Sequence, residues 1–229
     1  AQGRRYRYGN QPRVALWNLA QLANAIYPLI NEVEPLQTAL ENYRVEYERC
    51  AQRDTAAKLG LSQFDPAQDQ ALNEQLLECF QLIETDMTIF YRNLAQLNAD
   101  DISHYADSQC VDIVRESFYA SADENIETQF ASWIRRYSQR LQQDYVLTGN
   151  THEQKTVRMN SVNPKYVLRN YLAQQAIDKA TAGDYSEVEK LLDILRKPYD
   201  EQLEYQDYFA KRPEWARHKA GCSMLSCSS

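Results

Sequence analysis

Glu124-Asn125-Ile126-Glu127-Thr128-Gln129-Phe130-Ala131-Ser132-Trp133-Ile134-Arg135-Arg136-Tyr137-Ser138-Gln139-Arg140-Leu141 carries the cleanest periodicity in the chain. Ile126, Phe130, Trp133, Ile134, Tyr137 and Leu141 recur every three or four residues, so they share one face of an α-helix. The neighbourhood of Gly149 breaks the pattern. Upstream, Leu16, Leu19, Ala20, Ala23, Tyr27 and Ile30 follow the same spacing. Pro12 suits the first turn of that helix, where a missing N–H costs nothing, and Pro28 is expected to kink or end it. Leu36, Leu40, Tyr43, Tyr47 and Cys50 form a further stripe that closes near Gly60.

Asp65-Pro66 reads as a helix start, with Asp as N-cap and Pro at the first helical position. Leu72, Leu76, Cys79, Phe80 and Ile83 then share a face, and Thr85 or Asp86 restarts the chain as a helix with Met87, Phe90, Tyr91 and Leu94. Residues 98–110 are polar and read as a loop, followed by a short helix around 111–118 and another over roughly 151–160. Asn163-Pro164 opens a helix ending at Gly183. Asp184 or Ser186 caps the next, which is expected to bury Val188, Leu191, Leu192 and Leu195 before Pro198. The stretch 199–229 reads as irregular, apart from a turn at Pro213-Glu214-Trp215. The predicted fold class is all-α.

Composition agrees with a helical reading and narrows the function. The chain has 229 residues with 44% hydrophobic and only 6 Gly and 7 Pro, too few for a many-stranded β protein. No run of about 18 apolar residues is present, so no membrane partner is expected. The net charge of −7 argues against nucleic acid, whose phosphates require a basic surface. Arg4, Arg5 and Arg7, interleaved with Tyr6 and Tyr8, have the makings of a phosphate or nucleic-acid contact, but over so few residues the favoured reading is an exposed basic segment that packs on acidic partners. The opening, from Ala1 to Asn10, looks like the middle of a protein, and the expectation is a fragment.

Five cysteines, an odd number, with no secretory signal read as a reducing, cytoplasmic setting. Cys50, Cys79 and Cys110 sit singly in helical stretches, whereas Cys222 and Cys227 lie in a small-residue tail. Cys227 is either an accessible redox-sensitive thiol or an incidental tail residue, and the residues alone do not separate the two. At 100° per residue, Arg169 falls inside the apolar arc of Tyr166, Leu172, Ala173, Ala176, Ile177 and Ala180. A guanidinium there is either locked to a carboxylate or to helix-end carbonyls, or forms an anion site. The rule that buried charges are paired favours the first.

Complete chemical motifs are missing. His104, His152 and His218 are far apart, no H-E-x-x-H or E-x-x-H occurs, and no C-x-x-C pair exists. No G-x-S-x-G elbow or Gly-rich phosphate loop is present. Glu214 and His218, one turn apart, do not make a metal site, and the pairs Asp100-Asp101, Asp123-Glu124 and Asp200-Glu201 read as caps and solvated turns. Taken alone, these residues describe a helical domain without an active site, and a stand-alone helical interaction module remains the alternative.

Three stretches add more. Asn163-Pro164-Lys165-Tyr166-Val167-Leu168-Arg169-Asn170-Tyr171-Leu172-Ala173-Gln174-Gln175-Ala176-Ile177 resembles the signature near the C-terminus of the selenoprotein O family. Asn10-Gln11-Pro12 with Ala15-Leu16-Trp17-Asn18-Leu19 resembles the segment just after that family's metal-binding loop. Cys227-Ser228-Ser229 is similar to its terminus, where animal members carry selenocysteine at the Cys227 position, and Pro213-Glu214-Trp215 also fits.

The resemblance implies a protein-kinase-like fold that binds ATP with Mg²⁺ or Mn²⁺ and transfers AMP to Ser, Thr or Tyr hydroxyls of protein substrates. The phosphate-binding Lys, the catalytic Asp and Asn and the metal-binding Asp of the family would precede Ala1, so no catalytic, cofactor or metal residue is assigned here. Residues 1–12 would end the segment after the metal-binding loop, 13–198 would be the helical scaffold of the C-lobe, and 199–229 a tail with Cys227 in a redox role. The implied partner is the N-terminal kinase-like half of the same protein.

Overall fold

The structure, a computed structural model, describes residues 7–219 and residue 222. Among them the chain is all-α, with no strand and a single antiparallel bridge between Thr85 and Phe118. It divides into two compact units, Ala1–Thr55 and Ala56–Ser229.

The first unit is built on α1, Gln11–Ile30, and on α2, Glu34–Lys58, which runs past the boundary. Pro12 occupies the first turn as expected. Pro28 does not end α1, because it lies in the last turn, where one lost backbone hydrogen bond matters little. Asn31 ends it instead, in the left-handed region at φ 57°, with its N–H donating to Tyr27 O at 2.7 Å. The Tyr43 hydroxyl donates to Pro12 O at 3.1 Å and ties the two helices together. Ala20, Ala23, Tyr27, Leu36 and Leu40 line an apolar groove between them. No residue of α1 is buried.

The second unit has a conventional core around α6, Glu124–Thr148. Phe130, Trp133, Ile134, Tyr137 and Leu141 are fully buried there, the stripe that the sequence displays. Helices α3 (Pro66–Leu82) and α5 (Asp107–Asp112) pack on α6, and α4 (Met87–Leu94) packs on α7 (His152–Val162). Trp133 stacks on Tyr137 with ring centroids 5.1 Å apart, and its Nε1 donates to Leu72 O at 2.9 Å. Asp65, Asp86 and Asp123 each accept a backbone N–H at a helix start, satisfying donors that helix geometry leaves open. Gly60, at φ +70°, is held where an added Cβ would lie 2.7 Å from Lys155 Cγ.

Several elements depart from the sequence reading. Residues 98–110 are not a plain loop. They hold a 3₁₀ turn at Ile102–His104 and the start of α5, where Gln109 Oε1 accepts the Ala106 N–H at 2.8 Å. Burial of Cys110 and Val111 rewards this earlier start, and 115–117 form only a 3₁₀ turn. The helix expected from Asn163 begins instead at Asn170, giving α8, Asn170–Thr181. Asn163 precedes a proline, which disfavours helical backbone, and sits at φ −103°, ψ 103°. The next N–H groups, of Lys165 and Tyr166, both donate to Pro198 O, at 2.8 and 3.0 Å. Helix α9, Ser186–Leu195, buries Leu191 and Ile194 but leaves Val188 and Leu192 exposed, because the core it joins is small. That core comprises Tyr171, Leu172, Ala176, Leu191, Ala216 and Cys222. The stretch after Pro198 contains 3₁₀ turns at Leu203–Phe209 and Glu214–Ala216, the second covering the turn expected at 213–215.

Candidate functional site

Residues 163–169, before α8, gather most of the polar chemistry of the second unit. Asn163 Nδ2 donates to Lys58 O and Met159 O, both at 3.0 Å. The Lys165 side chain is buried and its Nζ donates to Glu201 Oε2 at 2.6 Å. The Tyr166 hydroxyl donates to Gln202 O at 2.7 Å. Arg92, buried on α4, pairs with the same Glu201 and donates from Nη1 to the carbonyls of Asn160, Asn163 and Tyr199, each at 3.3 Å. Burial alone would push the Glu201 carboxyl up. Lys165 and Arg92 outweigh it and hold the group below the usual carboxylate range.

Arg169 stands at the N-cap of α8, not within the helix, so the apolar arc that placed it is not its setting. Its side chain is 13% exposed and pairs with Asp86, which is 2% exposed. The guanidinium is bidentate, with Nη2 3.0 Å from Asp86 Oδ1 and Nη1 on Oδ2. Asp86 also accepts the Ile89 N–H at 3.1 Å and the Tyr119 hydroxyl at 3.2 Å. Arg212 lies over the Tyr119 ring at 4.9 Å and its Nη2 donates to Glu84 Oε1 at 2.8 Å. One carboxylate thus joins the start of α4, the start of α8 and the 119 and 212 segments.

Other buried charges are equally satisfied. Arg140 is bidentate on the fully buried Asp69, at 2.7 and 3.1 Å. Lys155 is fully buried and donates to Ala95 O at 2.9 Å and Leu97 O at 2.7 Å, satisfying carbonyls at the end of α4. Burial lowers its ammonium to about 8. Burial likewise raises the Cys79 thiol to about 11 and the Cys110 thiol above its ordinary value, so neither is primed as a nucleophile.

The arrangement ties distant segments of the second unit together. A groove of about 680 Å³ opens between α8, α9 and the 203–213 segment, with Tyr171, Lys179, Glu187, Tyr208 and Lys211 along it. Glu187 is itself tied up by Lys179 at 2.7 Å and by the Tyr208 hydroxyl at 2.5 Å. Among the described residues no three His, Cys, Asp or Glu side chains gather in a way that could hold a metal ion. Cys227 lies outside the described residues. Cys222, expected in an open tail, is buried against α8 and α9.

Sequence reasoning missed Arg92, Lys165, Glu201 and Lys155. A signal existed for Arg92, the lone charge of Met87–Leu94, a segment otherwise rich in apolar and aromatic side chains. None existed for Glu201, which reads as half of an acidic turn.

The second unit is thus an all-α scaffold cross-tied by buried ion pairs, with residues 163–169 as the tie. Comparison with known sequences says which scaffold. The profile of the protein adenylyltransferase SelO family matches residues 1–196, and the chain belongs to that family. It is 47% identical over 234 residues to a protein nucleotidyltransferase YdiU of Rhodopirellula baltica, covering all of this chain and 43% of that protein. Proteins of the same name from Aromatoleum aromaticum and Azoarcus sp. are each 46% identical, again over all of this chain and 42% of theirs. The chain thus spans about two fifths of the length of the curated relatives it matches.

Proposed function

We propose that this chain is the C-terminal part of a SelO-type protein adenylyltransferase that moves AMP from ATP onto Ser, Thr or Tyr hydroxyls of other proteins. The hydroxyl oxygen bonds to the α-phosphorus, pyrophosphate leaves, and the hydroxyl proton is released. On this reading the parent has a protein-kinase-like fold and works in the cytoplasm. Its ATP and Mg²⁺ or Mn²⁺ are held by residues outside this chain. The described helices support the catalytic half from behind, and Cys227 is a redox-regulatory thiol.

The observation that carries this reading is the family match over residues 1–196 together with relatives more than twice as long. The clamp built by residues 163–169 supports a scaffolding role, since Asn163, Lys165, Tyr166 and Arg169 each bond to a distant segment.

The test is incubation of the 229-residue chain, and separately of the full-length parent, with α-labelled ATP, Mg²⁺ or Mn²⁺ and an acceptor protein. Label is expected on the acceptor only with the parent. Transfer by the 229-residue chain alone overturns the reading.

A further inference from the structure

Helix α1 sets Gln11, Arg13, Asn18, Gln21 and Asn24 on one side, and the rest of its surface, including Leu22, Ile26 and Leu29, is apolar. Arg13 is its single charged residue in twenty, and none of the twenty is buried. Leu22 is 54% exposed and Leu29, seven residues on, is 84% exposed on the same stripe. Trp17, Tyr27 and Ile30 are exposed as well. Exposed apolar patches of this kind mark a surface that another surface covers.

The chemistry of α1 narrows what covers it. A helix lying on a membrane surface carries a strongly charged or polar face rich in Lys and Arg, and α1 has one Arg. A nucleic acid is excluded by the same lack of cations. An apolar protein surface fits, and the YdiU relatives carry further polypeptide to provide it. They match all of this chain and still carry more than half their length beyond the match.

We infer that the Leu22–Leu29 face of α1 is the seam onto which the remaining polypeptide of the parent enzyme packs. This rests on the reading of the chain as part of a longer adenylyltransferase. The seam is dry and aliphatic, and it makes α1 an interior helix of the parent. The occupant presents apolar side chains and no charge opposite Leu22, Ile26 and Leu29.

The test uses the full-length polypeptide of the native gene beside the 229-residue chain, with amide hydrogen exchange read over 11–30. In the full-length protein the α1 amides are expected to exchange at least about 100-fold more slowly than in the 229-residue chain, the signature of a covered helix. Leu22→Asp with Leu29→Asp should abolish that difference and lower the full-length melting temperature, while leaving the 229-residue chain unchanged. Leu29→Ala gives a milder variant should the double substitution prevent folding. Equal exchange of α1 in the two wild-type proteins overturns the seam. So does α1 protection in the 229-residue chain that grows with concentration alongside a dimer mass, because the occupant is then a second copy. A native gene product of only 229 residues overturns the longer-enzyme reading itself, a result told apart by intact mass before any exchange is measured.

Discussion

Helices α1 and α6 draw on the same kinds of side chain and end in opposite environments. The core face of α6 is closed by α3 and α5, and its Phe130, Trp133, Ile134, Tyr137 and Leu141 are fully buried. Leu22 and Leu29 of α1 face water. The contrast teaches that an apolar helical period states only that a face wants cover. Whether cover is present depends on the rest of the polypeptide. In α6 the exposed face is polar and the apolar face is covered, whereas α1 leaves Leu22 and Leu29 in solvent beside its polar face.

The sharpest probe of that contrast compares a residue of each helix. Trp133→Ala removes a stacked, hydrogen-bonded core ring and should cost about 3–5 kcal/mol, read from the urea midpoint. Leu29→Ala in the 229-residue chain should stay within about 0.5 kcal/mol of wild type, as surface substitutions do. A large loss at Leu29 would break the comparison, since it requires a cover over the exposed face of α1.

Ion pairs extend the comparison. Arg169→Met leaves the Asp86 carboxylate buried with only the Ile89 N–H and the Tyr119 hydroxyl, and should cost about 3 kcal/mol. Arg49→Met in the first unit breaks an exposed pair with Glu46 and should leave the urea midpoint where it is. Equal midpoints for Arg169→Met and wild type would show that the clamp before α8 holds nothing together.

The buried amine of the second unit gives a pH signature. Lys155 titrates at about 8 in the folded chain, below an unfolded value of about 10.4. Between those values the unfolded chain holds a proton that the folded one has released, so stability rises with pH, by about 3 kcal/mol in all. The thiols of Cys79, raised by burial to about 11, and of Cys110 oppose this from about pH 8.5, and Tyr91 and Tyr145, raised by burial to about 12, oppose it above about pH 10, because their unfolded counterparts ionise first. Stability against urea should therefore climb from pH 8, level off near about pH 9 and fall above about pH 10. Lys155→Met should flatten the climb, and a wild-type profile that falls steadily from pH 8 would contradict the burial. The smallest effect is the α6 cap. Asp123→Ala frees the Ile126 N–H and should lower stability by about 1 kcal/mol in thermal unfolding.

What was legible in the sequence was local. The α6 stripe, the caps at Asp65 and Asp86 and the stop at Gly149 depend on residues within a turn of each other, and the structure places them so. Arg169 reads as a charge in need of a partner, but Asp86 is 83 residues away and no spacing rule reaches it. The false helix start at Asn163 has the same cause. The acceptor that keeps 163–169 extended is Pro198 O, beyond α9. Val188 and Leu192 look buried because periodicity marks the apolar positions of α9 without saying how wide its neighbour is. Lys165 and Glu201 meet only because the chain after α9 turns back, which no local pattern encodes. The family signature was legible for the complementary reason: its Asn163, Lys165, Tyr166 and Arg169 are each fixed by a separate bond, so the string is specific even where its structure is not obvious.

Amide hydrogen exchange on the 229-residue chain alone tests the contrast between the two units most directly. Peptides from Glu124–Thr148 should exchange only when the second unit opens as a whole, while peptides from Gln11–Ile30 should exchange orders of magnitude faster. Protection of α1 equal to that of α6 would contradict the picture of an apolar helix awaiting its cover.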